Sequence, residues 1–327
     1  MKGKHHILLD TNRVRYEFTI RRNITVLQGD SATGKTTLVE LLQQYARRGE
    51  GSGIRLEADV PVRVYAGDGE DWLTFLKNAK PCILFFDEDY PFIHSREFAR
   101  EVAGSEHYFV LITRKPLTNL PYSIQEIYGI RTSGKYHFPE KVYNEFYPIF
   151  SNCVLREGQE HRILITEDAK AGFTFYQKAF PGVSCISSEG NANIAAVLSD
   201  LKEADACVVI ADGAAFGAFV ENVLSISTIM KKTALYFPES FEWLVLKSGI
   251  LRDNEIQEVL EEPENFIESR EYISWERFFT ALLQRKTAGA KYMQYQKERL
   301  TDYYLSDSIV EKIISVIPDE ITSLLLK

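Results

Sequence analysis

Residues 24–47 read Ile-Thr-Val-Leu-Gln-Gly-Asp-Ser-Ala-Thr-Gly-Lys-Thr-Thr-Leu-Val-Glu-Leu-Leu-Gln-Gln-Tyr-Ala-Arg. Ile24 to Leu27 form a short apolar run of strand character. Leu38, Leu41, Leu42 and Tyr45 recur at helical spacing, which predicts a helix over 37–47. Between them lies Gly29-Asp30-Ser31-Ala32-Thr33-Gly34-Lys35-Thr36, the pattern GxxxxGK[ST] in its strand–loop–helix setting. The residue types suit phosphate. Gly29 and Gly34 let the backbone curl without Cβ clashes. Successive amides, helped by the helix N-terminus, then point at an anion. Lys35 reaches the terminal phosphates and Thr36 offers a hydroxyl to Mg²⁺. The expected cradle is Gly29, Asp30, Ser31, Ala32, Thr33, Gly34, Lys35, Thr36 and Thr37.

Outward from this stretch, Val14, Tyr16, Phe18 and Ile20 alternate as on a half-buried strand. Further strands are predicted at 62–65, 82–86 and 108–112. The third of these, counted with 24–28, is the apolar run Cys82 to Phe86, which ends in Asp87-Glu88-Asp89. Its carboxyl end places Asp87 where a metal would sit, and Glu88 where it can orient or deprotonate a water. The plainer reading of these acids is a solvated cap on a core strand. Thr113 or Arg114, after 108–112, is a candidate sensor of the last phosphate.

Residues 10–130 thus resemble the P-loop ATPases of the ABC/AAA superfamily in its broad sense, with Asp87 and Glu88 in the Walker B position. The resemblance implies bound ATP and Mg²⁺, with Lys35 and Glu88 catalytic and Thr36 and Asp87 at the metal. It departs in lacking an LSGGQ-like signature between the two motifs.

Tyrosine and proline become frequent over 115–160, with Arg131, Lys135, His137 and Lys141 between them. Basic groups among aromatics can form a stacking platform for nucleic acid; the plainer and preferred reading is an irregular domain edge covered by amphipathic tyrosines. A second run of alternating strands and helices follows. Apolar strands end in acids at Glu167-Asp168 and at Asp212, with further strands over 183–186 and 233–237. This layout resembles a Toprim domain of the type found in topoisomerases, primases and OLD nucleases. The resemblance implies Glu167 as general acid/base and Asp212 as a metal ligand. Ala214 stands where a second acid is expected, so a degenerate domain used for contacts stays open beside a catalytic one.

Residues 239–327 read as helical, with Arg285, Lys286, Lys291, Lys297 and Arg299 as their most basic stretch. The expected architecture is therefore α/β: an N-terminal P-loop NTPase sheet at 1–155, a second Toprim/Rossmann-like sheet at 160–238 and a helical C-terminal region at 239–327. Thirty-eight Lys and Arg against 46 Asp and Glu give a net charge of -8, with 45% apolar residues. These values exclude a disordered or collagenous chain. No run approaches the roughly 18 apolar residues of a membrane helix. Four cysteines without CxxC spacing give no zinc site and fit a cytoplasmic protein.

The leading functional expectation is an ATPase whose nucleotide state controls a protein partner, a second copy of the chain or a nucleic acid. The resemblance places it in phage defence or DNA maintenance. The alternatives are an ATP-coupled Mg²⁺-dependent nuclease, a P-loop kinase and a noncatalytic ATP-binding scaffold.

Overall fold

The computed structural model describes residues 1–29, 34–137, 141–155, 162–201, 206–230 and 233–326, with the backbone alone over 133–137. The chain divides into two compact units. The first is Met1–Phe150 with Glu262–Ile273; the second is Ser151–Glu261 with Ser274–Lys327.

The first unit carries β1 (His5–Asp10), β2 (Val14–Ile20), β3 (Ile24–Leu27), α1 (Lys35–Arg48), β4 (Arg55–Ala58), β5 (Val62–Val64), α2 (Trp72–Asn78), β6 (Ile83–Phe86), α3 (Arg96–Ala103), β7 (Tyr108–Ile112), β8 (Ile127–His137) and β9 (Lys141–Pro148). Its nine strands form one sheet in the order β4-β1-β2-β9-β8-β3-β7-β6-β5. The neighbours from β8 through β3, β7 and β6 to β5 are parallel. The pairs β8–β9, β1–β2 and β1–β4 are antiparallel, and β2–β9 is parallel.

Apolar runs explain the centre. All of β3, β6 and β7 is buried, as strands covered on both faces require. A side chain such as Phe85, with no exposed surface, contributes about 1.5–3 kcal/mol by its burial. One core joins Leu38, Val39 and Leu42 of α1 to Leu9 of β1, Phe18 of β2, Val110 of β7 and Ile130 of β8. Leu56 of β4 and Val62 of β5, from opposite ends of the strand order, pack on it too. The sheet thus curls round α1 toward a barrel-like form.

This corrects the first expectation. An open parallel P-loop NTPase sheet of the ABC/AAA type is not what the chain forms; the sheet is mixed and strongly curled. The signal missed was in 115–160, read as an irregular edge. Tyr128, Tyr136, Tyr143 and Tyr147 belong to a hairpin, in which Phe146 of β9 faces inward and stacks on Phe18 with centroids 4.0 Å apart. Its strand character follows from alternation and aromatic content.

The second unit carries β10 (Cys153–Val154), β11 (Ile163–Thr166), α4 (Ala171–Ala179), β12 (Ser184–Ser187), α5 (Ile194–Asp200), β13 (Cys207–Ile210), α6 (Val220–Met230), β14 (Thr233–Tyr236), α7 (Phe241–Lys247), α8 (Asn254–Glu261), α9 (Trp275–Thr287), α10 (Asp307–Ile314) and α11 (Asp319–Leu325). Its sheet has the order β10-β14-β13-β11-β12; β10 is antiparallel and the rest are parallel. Helices from the end of the chain pack into this unit, α9 on α7 and α10 on α4. Ser240 starts α7 by accepting a hydrogen bond from the Trp243 amide at 3.1 Å, an N-cap. Among the described residues, no helix is long and apolar enough to cross a membrane.

Candidate functional site

In the first unit, the loop–helix junction begins with Gly29 at φ 128° and resumes with Gly34 at φ 94°. Both lie in the region that favours glycine. A Cβ on Gly34 would meet the Tyr16 hydroxyl at 2.9 Å, and that hydroxyl donates to the Gly34 carbonyl at 2.8 Å. Lys35 opens α1, and its Nζ donates back to the Gly29 carbonyl. Thr36 and Thr37 are exposed. Asp30, Ser31, Ala32 and Thr33 lie outside the described residues.

Asp87 follows β6, and burial pushes its carboxyl above the usual range, with Lys35 opposing the shift. Glu88 pairs with Arg114 at 3.0 Å. Thr113 is buried and donates to the Lys115 carbonyl at 2.8 Å. The structure therefore gathers Gly29, Lys35, Asp87, Glu88 and Arg114 at the carboxyl ends of β3, β6 and β7.

On the aromatic face of the hairpin the cations whose side chains are described are paired; the side chains of Lys135 and His137 lie outside the described residues. Arg131 pairs with Glu145 at 2.9 Å and lies over Tyr147; Lys141 pairs with Asp10 at 2.6 Å and lies over Tyr143. Arg15, also over Tyr143, pairs with Glu17 at 2.8 Å. Three of the five cations in the basic stretch near the end of the chain are paired: Arg285 with Glu255, Lys286 with Asp253 and Glu255, and Lys297 with Glu276.

The second unit holds the more enclosed site. At the carboxyl ends of β11 and β13, a cavity of about 30 Å³ is lined by Glu167, Asp168 and Asp212 together with Glu242, Tyr295 and Lys297. Glu167 and Asp212 come from neighbouring strands, and the Asp212 amide donates to Glu167 Oε2 at 3.0 Å. Asp212 Oδ1 accepts from the Phe241 amide at 3.2 Å, at the start of α7. Gly213 follows. A Cβ there would lie 2.8 Å from the Phe237 carbonyl oxygen, so only glycine lets the chain pass.

Ser188 Oγ lies 3.1–3.2 Å from the carbonyls of Thr166 and Glu167 and holds the end of β11. The adjoining Glu189 has φ 57°, the left-handed region for a residue with a Cβ. Its side chain is exposed and does not line the cavity.

The electrostatics follow from crowding. Burial and then Glu276 push Glu167 up to about 8. Burial and then Glu167 push Asp212 well above the carboxylate range. Two desolvated carboxyls so close resist ionising together. Burial opposes the charge on Lys297, but Glu242, Glu276 and Asp212 outweigh it and hold the ammonium above its ordinary value. Lys297 Nζ donates to Glu276 Oε1 at 2.7 Å. Tyr295 donates to Glu242 Oε1 at 2.7 Å, while Glu242 Oε2 is buried without a hydrogen-bond partner.

Five carboxyl groups, those of Glu167, Asp168, Asp212, Glu242 and Glu276, therefore meet one ammonium. Sequence reasoning found Glu167, Asp168 and Asp212 because they end apolar strands. It placed Lys297 in the most basic stretch of the chain's helical end and passed over Glu242, Glu276 and Tyr295. The only signal for Glu242 is its apolar setting, Phe241-Glu242-Trp243-Leu244.

The chain matches no protein-family model, and no curated protein matches it. With the mixed, curled sheet, this removes the support for the ABC/AAA and Toprim resemblances. The readings as ATPase, ATP-coupled nuclease, P-loop kinase or ATP-binding scaffold in phage defence are corrected with them. The expected Mg²⁺ and ATP fall as well. Among the described residues no group of three or more His, Cys, Asp or Glu is placed to hold a metal ion, and no nucleotide cradle is formed.

Proposed function

We propose that the chain is a binding protein whose second unit takes a small organic cation, an ammonium head group, into the cavity between Glu167, Asp212 and Glu242. One observation carries the reading: Glu242 Oε2 is a buried acceptor with no donor, in a cavity where carboxyls outnumber ammonium groups. Leaving such an acceptor unmet costs about 1–3 kcal/mol. An alkylammonium N–H supplies both the missing donor and the missing charge. A cavity of about 30 Å³ is of the size that holds one water-sized group. In this reading Glu167 and Asp212 orient the cation, and Tyr295 fixes Glu242. The edge that carries Gly29, Lys35, Asp87 and Glu88 is a second polar site, for which we name no ligand.

The test is calorimetric titration with ethylammonium chloride at matched ionic strength, alongside sodium chloride and tetramethylammonium chloride. Saturable binding of ethylammonium alone is expected, with loss of binding in Glu242→Gln of unchanged circular dichroism. An equal response to sodium, or full binding by Glu242→Gln, overturns the reading. The pairing of Arg15, Arg131 and Lys141 with carboxylates on the aromatic face favours this ligand class over nucleic acid. The free state of all four cysteines supports a cytoplasmic setting.

A further inference from the structure

The nine-stranded sheet ends at β4, whose one edge pairs with β1 and beyond which no strand lies among the described residues. Such an edge offers unpaired amides and carbonyls and is a template for another strand. Its sequence, Ile54-Arg55-Leu56-Glu57-Ala58, is unusual in one respect. Antiparallel pairing of two copies about Leu56 sets Arg55 of each chain opposite Glu57 of the other. It also sets Ile54 opposite Ala58 and Leu56 opposite itself.

This register joins residues of equal parity, so outward-facing amides meet outward-facing carbonyls. Arg55 and Glu57 are both exposed, and within the single chain they pair with each other, two residues apart. Opposite charges directly across strands favour pairing, whereas like charges oppose it. Beside the strand runs a groove of about 410 Å³ lined by Tyr45, Glu50, Gly53 and β4 itself. It leaves room for the side chains of an added strand.

We infer that the β4 edge is a two-fold interface at which a second copy of this chain adds its own β4, with reciprocal Arg55–Glu57 pairs. An edge of four residues makes a small contact, so the dimer belongs to the weak class with a dissociation constant on the order of micromolar. The inference is independent of the cavity in the second unit.

Sedimentation velocity over a concentration series tests it. The wild-type chain is expected to shift from monomer to dimer across the micromolar range. Arg55→Glu and Glu57→Arg, which oppose like charges twice, are each expected to weaken association at least tenfold. The double variant Arg55→Glu/Glu57→Arg is expected to regain it, because the swapped pairs are again complementary. A wild-type chain monomeric throughout the series, or single variants that dimerise as well as wild type, overturns the assignment. A double variant no better than the singles does so too. Circular dichroism on each variant separates loss of association from loss of fold.

Discussion

Replacing Glu167 by Gln removes an ionisable group without changing the shape of the side chain. The Gln carbonyl still accepts from the Asp212 amide, so the hydrogen bond at 3.0 Å survives. What changes is proton linkage. Burial holds the Glu167 carboxyl at about 8 in the folded chain, against 4.5 for the free group. A carboxyl raised in the fold stabilises it fully below the unfolded value. That contribution is lost as pH climbs from about 4.5 to about 8. Over this window the folded chain carries one proton more than the unfolded one, so stability declines by about 1.4 kcal/mol per pH unit from this group.

Glu167→Gln cannot lose that proton. The variant should match wild type near pH 4.5 and exceed it increasingly toward pH 8. The second unit has about 165 residues, for which 1 kcal/mol moves the melting temperature by roughly 2–4 °C. Scanning calorimetry from pH 5 to 8 should therefore show a wild-type slope steeper than that of the variant by about 3–6 °C per pH unit. Parallel slopes, or a variant less stable than wild type at pH 8, would refute the argument that Glu167 is a desolvated carboxyl.

Three further outcomes follow from the same geometry. Lys297→Met removes the one ammonium among five carboxyls, and urea unfolding should show a loss of about 3–5 kcal/mol, since unpaired buried charge is left behind; an unchanged midpoint would contradict the charge count. Gly213→Ala forces a Cβ to within 2.8 Å of the Phe237 carbonyl, and thermal unfolding should register a loss of about 1–3 kcal/mol. Cys82 and Cys207 are buried, and burial pushes the Cys82 thiol up to about 11. Titration with a thiol-specific disulfide reagent should modify Cys153 and Cys185 first and reach the buried pair only on unfolding.

The parts of the fold legible in the sequence are those with a local signal. The strands at Ile83–Phe86, Tyr108–Ile112 and Cys207–Ile210 are apolar runs of strand length, and α1 shows helical spacing. The pairing of these strands is not local. Nothing in 24–47 discloses that β8 joins β3 and carries a largely antiparallel half of the sheet with it, because register and neighbour choice are set by distant residues. That is why a correct reading of a strand and a helix still led to the wrong sheet.

The cavity divides the same way. Glu167 and Asp212 stand at strand ends, where the chain itself points to them. Glu242, Glu276, Tyr295 and Lys297 arrive from α7, α9 and the segment after it, and only packing brings them in. A lysine twelve residues beyond Arg285 reads as one of a solvated group until its neighbours are known.

The segment Glu262–Ile273 belongs to the first unit although the second unit flanks it on both sides. The Gly3 amide donates to the Glu264 carbonyl, and Asn23 Nδ2 to the Ile273 carbonyl at 2.9 Å. Synthesis from the N-terminus therefore leaves the first unit unfinished until residue 273 has emerged, more than a hundred residues after its last strand. At that point the second unit has the strands of its sheet but not α9, so the first unit is complete while the second still waits for its last helices. A chain cut after residue 261 loses a piece of both, and the two halves of this protein are coupled in the order of their making.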